Sequence, residues 1–249
     1  MAQARRVAGL ALLGLILVAS TACGDLPRDP EGTLDRIDGG TMRVGITDND
    51  PWTTYEDGEA EGVEVRILER FAEDLDAEID WVPGSEADLM SALEMREVDL
   101  VVGGLTSTDP WGAKVALTHP YLTTSVVVAV LGGDEVPEDI AARRVAVERG
   151  TEQAGILEKT DATVIRTDDV VEGVESTRGA LGPVGTNLFA IENWLIDDLD
   201  LEDTGVTLIE TDHVMAAPLG ENAWLVRLER YLLTHEDDIK SVLDEEGGP

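Results

Sequence analysis

The chain has 249 residues, with 52 Asp and Glu against 18 Lys and Arg, and a formal net charge of −34. Lysine occurs only at Lys114, Lys159 and Lys240 and no basic cluster exists, so binding to a nucleic-acid phosphate backbone is excluded. The same charge repels anionic lipid, so lasting membrane contact needs an anchor other than the surface of the folded body.

At the N-terminus, Arg5 and Arg6 precede an apolar run from Val7 to Ala19 and then the small residues Ser20, Thr21 and Ala22. That order is the pattern of a secretory signal, read here over residues 1–22, and the run is shorter than the ~20 residues of a membrane-spanning helix. Cys23 is the only cysteine, which rules out an intramolecular disulfide. Its position after Ser20-Thr21-Ala22 resembles the lipobox of bacterial lipoproteins, with Ser20 where that motif usually has Leu. The resemblance implies lipidation at Cys23 and an extracytoplasmic protein held to the membrane by that lipid. Gly24 to Gly40 is rich in Gly, Pro and charge, and residues 23–40 are read as a tether.

From Thr41 the spacing predicts alternating strands and helices. Met42–Thr47 reads as a strand ending in turn residues Asp48–Pro51. Val63–Leu75 places Val65, Leu68, Phe71, Ala72 and Leu75 on one helical face. Glu78–Val82 is a strand; Ser85 opens a helix, with Asp88 completing a capping pattern. Val98–Gly103 and the long apolar run Ser125–Leu131 are strands. After Gly132-Gly133 the alternation resumes: a strand at Arg144–Val147, a helix from Thr151, a strand at Thr163–Ile165 and a helix from Asp168. It continues with a strand at Leu181–Val184, a helix at Asn187–Ile196 and strands near Val206 and Val214. The C-terminus is helical over Ala223–Leu233 and Asp238–Leu243. Two such runs imply two α/β lobes with largely parallel sheets, and a ligand cleft between them at the carboxyl ends of the strands.

Several blocks are similar to the extracellular solute-binding proteins of amino-acid ABC transporters, family 3, with the type II periplasmic-binding fold. Met42-Arg-Val-Gly-Ile-Thr47 with Asp50-Pro51-Trp52 resembles the first strand and the Pro-Phe loop. Gly62-Val-Glu-Val65 resembles the G-F-D-V of the first helix. Asp88 to Thr106 follows the helix–strand–"GMT" block, Thr118-His-Pro-Tyr121 the S-D-P-Y, and Val145 to Thr151 the V-G-V-x-x-G-T of the second lobe. The resemblance implies lobes at 41–130 plus 215–249 and at 131–214, joined by crossover segments near Ser125–Leu131 and His213–Pro218. It also implies capture of a small molecule for an ABC permease by a monomer, with no cofactor, no metal and no chemistry on the ligand.

In that family an Arg five residues after the Thr of the GMT block holds the ligand's carboxylate. Here that position is Trp111, with Lys114 the nearest cation. The family's α-amino partner is an Asp at the start of the helix after the third strand of the second lobe, a place that falls on Asn187. Both changes point away from an ordinary free α-amino acid. Trp52, Tyr55, Trp111, Asp48 and Glu86 instead combine aromatic faces with carboxylates, a chemistry suited to a cationic or amino-acid-derived ligand. Thr106, Gly150 and Thr151 supply short hydroxyls and backbone N–H groups to any polar ligand.

Two other classes are weighed. An enzyme would need a catalytic constellation, and the sequence has neither G-x-S-x-G nor H-E-x-x-H, with His119, His213 and His235 isolated from one another. A scaffold or sensor of the same fold, without transport, fits the altered anchors; whether the named residues converge on one enclosed cleft separates it from the capture reading.

Overall fold

The computed structural model describes residues 28–177 and 184–246. Cys23, the expected signal and most of the strand expected at Leu181–Val184 lie outside the described residues. Among the described residues, no helix is long and apolar enough to cross a membrane, and no group of three or more metal-ligating side chains occurs.

The described part of the expected tether is packed on the body. Residues Thr33–Ile37 form a short helix, α1, and Ile37 is fully buried in the main core. Two carboxylates fasten this segment reciprocally. Asp29 accepts the N–H groups of Ala223 and Trp224 at a distant helix start, at 2.7 and 3.0 Å. Glu221, just before that helix, accepts the N–H groups of Glu31 and Thr33 at 3.3 Å. Each satisfies orphan donors at the start of the other's helix, which is why a polar, Gly- and Pro-rich segment docks here.

The first sheet contains β1 (Thr41–Ile46), β4 (Glu78–Pro83), β5 (Leu100–Val102), β6 (Ala116–Leu117) and β12 (Ala216–Ala217), in the order β4-β1-β5-β12-β6. β4, β1 and β5 are parallel and β12 is antiparallel to both its neighbours. A small hairpin, β2 (Thr54–Glu56) and β3 (Glu59–Glu61), stands outside the sheet. Helix α2 (Val63–Asp74) covers one face, burying Val63, Ile67, Leu68, Phe71 and Ala72. Helix α3 (Glu86–Glu94) covers the other through Leu89, Met90 and Leu93. Its N-cap is Ser85, which accepts the Asp88 N–H at 3.3 Å as the capping pattern requires.

The second sheet contains β7 (Leu122–Leu131), β8 (Arg144–Glu148), β9 (Thr163–Thr167), β10 (Leu188–Glu192) and β11 (Leu201–His213), in the order β11-β7-β10-β8-β9. Helices α4 (Glu152–Leu157) and α5 (Val170–Thr177) flank it. The chain re-enters the first sheet at Val214 and closes with α6 (Asn222–Thr234) and α7 (Glu236–Glu246), both packed on the α2 face.

Two expectations change. The whole of Leu122–Leu131 belongs to the second sheet, paired with β10 and β11, so the chain crosses between lobes at Tyr121–Leu122 rather than at Val130–Leu131. The helix expected over Asn187–Ile196 is instead the central strand β10 followed by one 3-10 turn at Asn193–Leu195. Leu188-Phe-Ala-Ile191 is buried on both faces, and a strand covered on both sides reads as a continuous apolar run with no period to identify it.

Candidate functional site

The register fixes which strand ends approach the first lobe. Leu122, where β7 leaves that lobe, pairs with His213, where β11 returns to it. β10 runs antiparallel to β7, with Leu188 opposite Val130 and Glu192 opposite Val126. β8 and β9 run parallel to β10. The carboxyl ends of β8, β9 and β10 therefore all lie at the edge nearest the first lobe. On the first lobe the segment after β5 meets the same crossing: Thr106 bridges His213, and Val214 donates its N–H to the Leu105 carbonyl at 2.9 Å. The two sets of strand ends meet at one seam, where open α/β sheets hold ligands.

On the first lobe the sequence-derived residues assemble, and most of their polar atoms serve one another. Asp48 accepts the Tyr55 N–H at 2.8 Å. Glu86 accepts the Trp111 indole N–H at 2.5 Å, so these two expected ligand contacts form a pair. Lys114 lies 5.9 Å from the centre of the Trp111 ring and 3.2 Å from Glu94; the cation over this indole is the protein's own. Thr106 donates its N–H to Asp109 at 2.7 Å and shares a hydroxyl contact with Thr108 at 3.0 Å.

Trp52 is only 6% exposed. Its ring lies 3.9 Å from that of His213 at a 31° tilt, and the Trp194 ring meets it nearly edge-on, at 6.0 Å and 74°. Gly104 closes the remaining side: a Cβ there would stand 2.6 Å from Trp52 Cδ1, and its φ of +67° already favours glycine. Beneath this stack is Glu64, fully buried. Its carboxylate accepts the N–H groups of Gly103 and Gly104 and the Tyr121 hydroxyl, each at 2.8 Å. One side chain thus ties helix α2, the turn after β5 and the entry to the crossover. Burial outweighs these three donors and pushes the Glu64 carboxyl up to about 7. Burial also lowers His213 to about 4, against the opposing pull of Asp212. The His213 Nε2 meets the Thr124 hydroxyl at 3.0 Å, while its buried Nδ1 has no hydrogen-bond partner among the described residues.

The second lobe brings Gly150 and Thr151 to the seam. Gly150 turns the chain at φ +84°, and Thr151 donates its hydroxyl to the Glu148 carbonyl at 2.8 Å. Beside them Arg149 Nε lies 3.0 Å from Asp168, both exposed. Asn187 is not brought there. It precedes β10 at the far end of the sheet, where its carbonyl accepts the Leu131 N–H and its amide donates to Asp134 at 2.6 Å. With β10 a strand rather than a helix, the side chain at the carboxyl end is Glu192, five residues later. Glu192 is half-buried, and burial alone pushes its carboxyl up to about 7. No hydrogen bond or ion pair reaches it among the described residues. Two residues on, Trp194 reaches Trp52 across the seam.

Glu192, Trp194, His213 and Glu64 were not read as site residues from the sequence. Glu64 carried a visible signal, a charge on an otherwise apolar helical face, while Glu192 and Trp194 were hidden by the helix expected over that stretch.

The sequence signature of the bacterial extracellular solute-binding proteins, family 3, matches residues 42–238. The L-cystine-binding protein TcyJ of Escherichia coli K12 is 25% identical over 168 residues, which are 64% of this chain and 63% of TcyJ. The chain thus matches somewhat under two thirds of that relative's length. The membrane-bound lytic murein transglycosylase F of Pseudomonas putida is 31% identical over 151 residues, 58% of this chain but only 30% of that protein. Among solved structures, the L-cystine solute receptor of Neisseria gonorrhoeae superposes with a TM-score of 0.70 at 14% identity, covering 86% of this chain and 96% of the receptor. At that identity the likeness concerns the two-lobed fold alone.

Proposed function

Because this chain belongs to the bacterial extracellular solute-binding proteins of family 3, we propose that it captures a small polar ligand between its lobes, outside the cytoplasmic membrane, for an ABC permease. The observation that carries this reading is the meeting of strand carboxyl ends from both sheets at one seam, bridged by Trp52 and Trp194. A pair of strands joins the lobes, which is the construction of a hinge that opens and closes on a ligand. No catalytic role is assigned, since the transglycosylase likeness spans under a third of that enzyme. Cys23 is the proposed lipid attachment, and from Arg28 onward the chain is docked on the folded body.

The ligand is amino-acid-derived or cationic. The forked Arg expected to hold a carboxylate is absent, and its place is taken by Trp111 bound to Glu86. The amino side is better served: Glu192 puts a carboxylate where Asn187 was expected to give only a neutral amide. Asp48, Trp52, Tyr55, Thr106, Gly150 and Thr151 are the further proposed contacts; of these only Trp52 is buried and needs the lobes to part.

A second reading, a scaffold or sensor without transport, is favoured by one observation: Trp52 is covered by Trp194 in this arrangement. A thermal-shift screen against amino acids, amines, betaines and other small polar metabolites separates the two. A ligand at ~100 times its dissociation constant adds ~2.7 kcal/mol and raises the melting temperature visibly. A folded protein that no small molecule stabilises is the outcome that favours the scaffold reading.

A further inference from the structure

His213 is the last residue of β11, at the point where the chain leaves the second lobe for the first, and it is only 4% exposed. Its carbonyl accepts the Tyr121 N–H at 3.0 Å, and Thr106 bridges it from the turn after β5. Its imidazole stacks on Trp52, which the second lobe's Trp194 meets nearly edge-on. We propose that His213 is a proton-sensitive catch on the hinge. The neutral ring fits the arrangement in which Trp52, backed by Trp194, covers it, and protonation favours an arrangement in which the lobes have parted and the ring meets water. The catch is a property of the unliganded protein and does not depend on which ligand or permease the chain serves.

Three observations support the assignment. First, the ring has room for one proton and not for two. Nε2 meets the Thr124 hydroxyl at 3.0 Å, while the buried Nδ1 has no partner among the described residues. A neutral imidazole can donate from Nε2 and leave only a lone pair at Nδ1, whereas an imidazolium would bury an unpaired, charged N–H. Second, the surroundings offer no strong counter-charge. Asp212, the neighbour on the same strand, accepts the Thr123 hydroxyl at 2.7 Å, and its pull on the ring is outweighed by burial, which lowers His213 to about 4. Of the other elements against the ring, Trp52 and Thr124 carry no charge, and the Tyr121 hydroxyl is given to Glu64. Asp109 is engaged by the Thr106 N–H. Third, the residue stands where motion must occur. His213 pairs with Leu122 on β7, and these two strands join the lobes. Glu64 and Glu192, both raised to about 7 by burial, act in the opposite sense, since acid favours whichever arrangement buries them.

The test is the distance between the lobes in the unliganded full chain at pH 7.5 and pH 5, read by spin labels on Glu69→Cys in α2 and Glu175→Cys in α5, both exposed, with Cys23→Ser. The labelled parent is compared with the same chain carrying His213→Gln, which keeps a donor for Thr124 and cannot titrate. With an ordinary 6.5 for the ring in water and about 4 for the covered ring, this acidification multiplies the open-to-closed ratio by up to ~30-fold through His213 alone. The carboxylates are common to both proteins, so the difference between them isolates the histidine. The ratio should rise by about tenfold or more in the parent relative to His213→Gln; a smaller difference, or none, overturns the catch. Should His213→Gln not fold, the parent's His213 ring is followed by NMR from pH 7.5 to 4. It must then gain its proton together with growth of the open population. Either change without the other, or neither by pH 4, overturns the catch, and in every case the capture reading stands or falls on the thermal-shift screen alone.

Discussion

The two lobes present their strand ends to the seam in opposite conditions. On the first lobe the polar atoms are already paired: Asp48 with the Tyr55 backbone, Glu86 with Trp111, Asp109 with the Thr106 backbone, and Glu64 with three donors at once. On the second lobe Glu192 is half-buried and unpaired, and Arg149 and Asp168 meet only at the exposed surface. The first lobe is a preformed platform whose shape costs little to maintain, while the second carries the groups whose electrostatics improve when a ligand arrives. An unpaired buried carboxylate is unfavourable in the free protein, and that deficit is what a cationic ligand would relieve.

The largest effect expected from this contrast is on the platform's stability. Trp224 is fully buried on the first lobe, packs near Phe71 and donates its indole N–H to the Asp99 carbonyl at 2.9 Å. Trp224→Ala should destabilise by ~3–5 kcal/mol, from lost burial and the cavity left behind, read as a lowered denaturation midpoint. A shift of under ~1 kcal/mol would deny that the first lobe is a tightly packed template.

Next in size is a dependence on pH. The Glu64 carboxyl is raised from an ordinary 4.5 to about 7, so between those values the folded protein keeps a proton that the unfolded chain has lost. Its stability contribution is full below about pH 4.5 and is lost as pH rises through about 7, at no more than ~1.4 kcal/mol per pH unit. His213, lowered from 6.5 to about 4, works in the other sense, adding stability as pH climbs from about 4 to 6.5. Glu192, raised over the same range, adds a second descending component, so urea denaturation of Glu64→Gln from pH 4.5 to 7.5 should show a shallower descent than wild type. An identical profile in wild type and variant would remove Glu64 as its source.

The smallest effect is expected at the pair that closes on itself. Trp111→Phe deletes the hydrogen bond to Glu86 while keeping an aromatic ring, and ligand affinity should change by less than about threefold, given the modest net value of one such bond. A tenfold loss in titration would move Trp111 from the platform into the ligand's contacts.

The same contrast governs what was legible beforehand. Helices α2 and α3 and strands β1 and β5 were readable because the first lobe alternates long amphipathic stretches, a Ser85–Asp88 cap and short apolar runs. In the second lobe Leu188-Phe-Ala-Ile191 followed by Trp194-Leu195 satisfies helical spacing as well as strand composition, and a short run carries too few periods to decide. That single ambiguity moved the expected anchor from Glu192 to Asn187 and hid Trp194. The docking of residues 28–40 was illegible for a different reason: Asp29 and Glu221 cap each other's helices from about 190 positions apart, and no local pattern announces such a contact.

Capture of a ligand at the seam requires the carboxyl ends of the strands to be the binding side of the second lobe. The direct measurement is the affinity of wild type, Glu192→Gln and Asn187→Ala for the ligand found by thermal shift, titrated side by side at pH 8, where Glu192 is mostly ionised. Glu192→Gln should lose tenfold or more and Asn187→Ala should bind as wild type. Loss of affinity in Asn187→Ala with none in Glu192→Gln would contradict it, and would put the ligand at the opposite end of the second sheet.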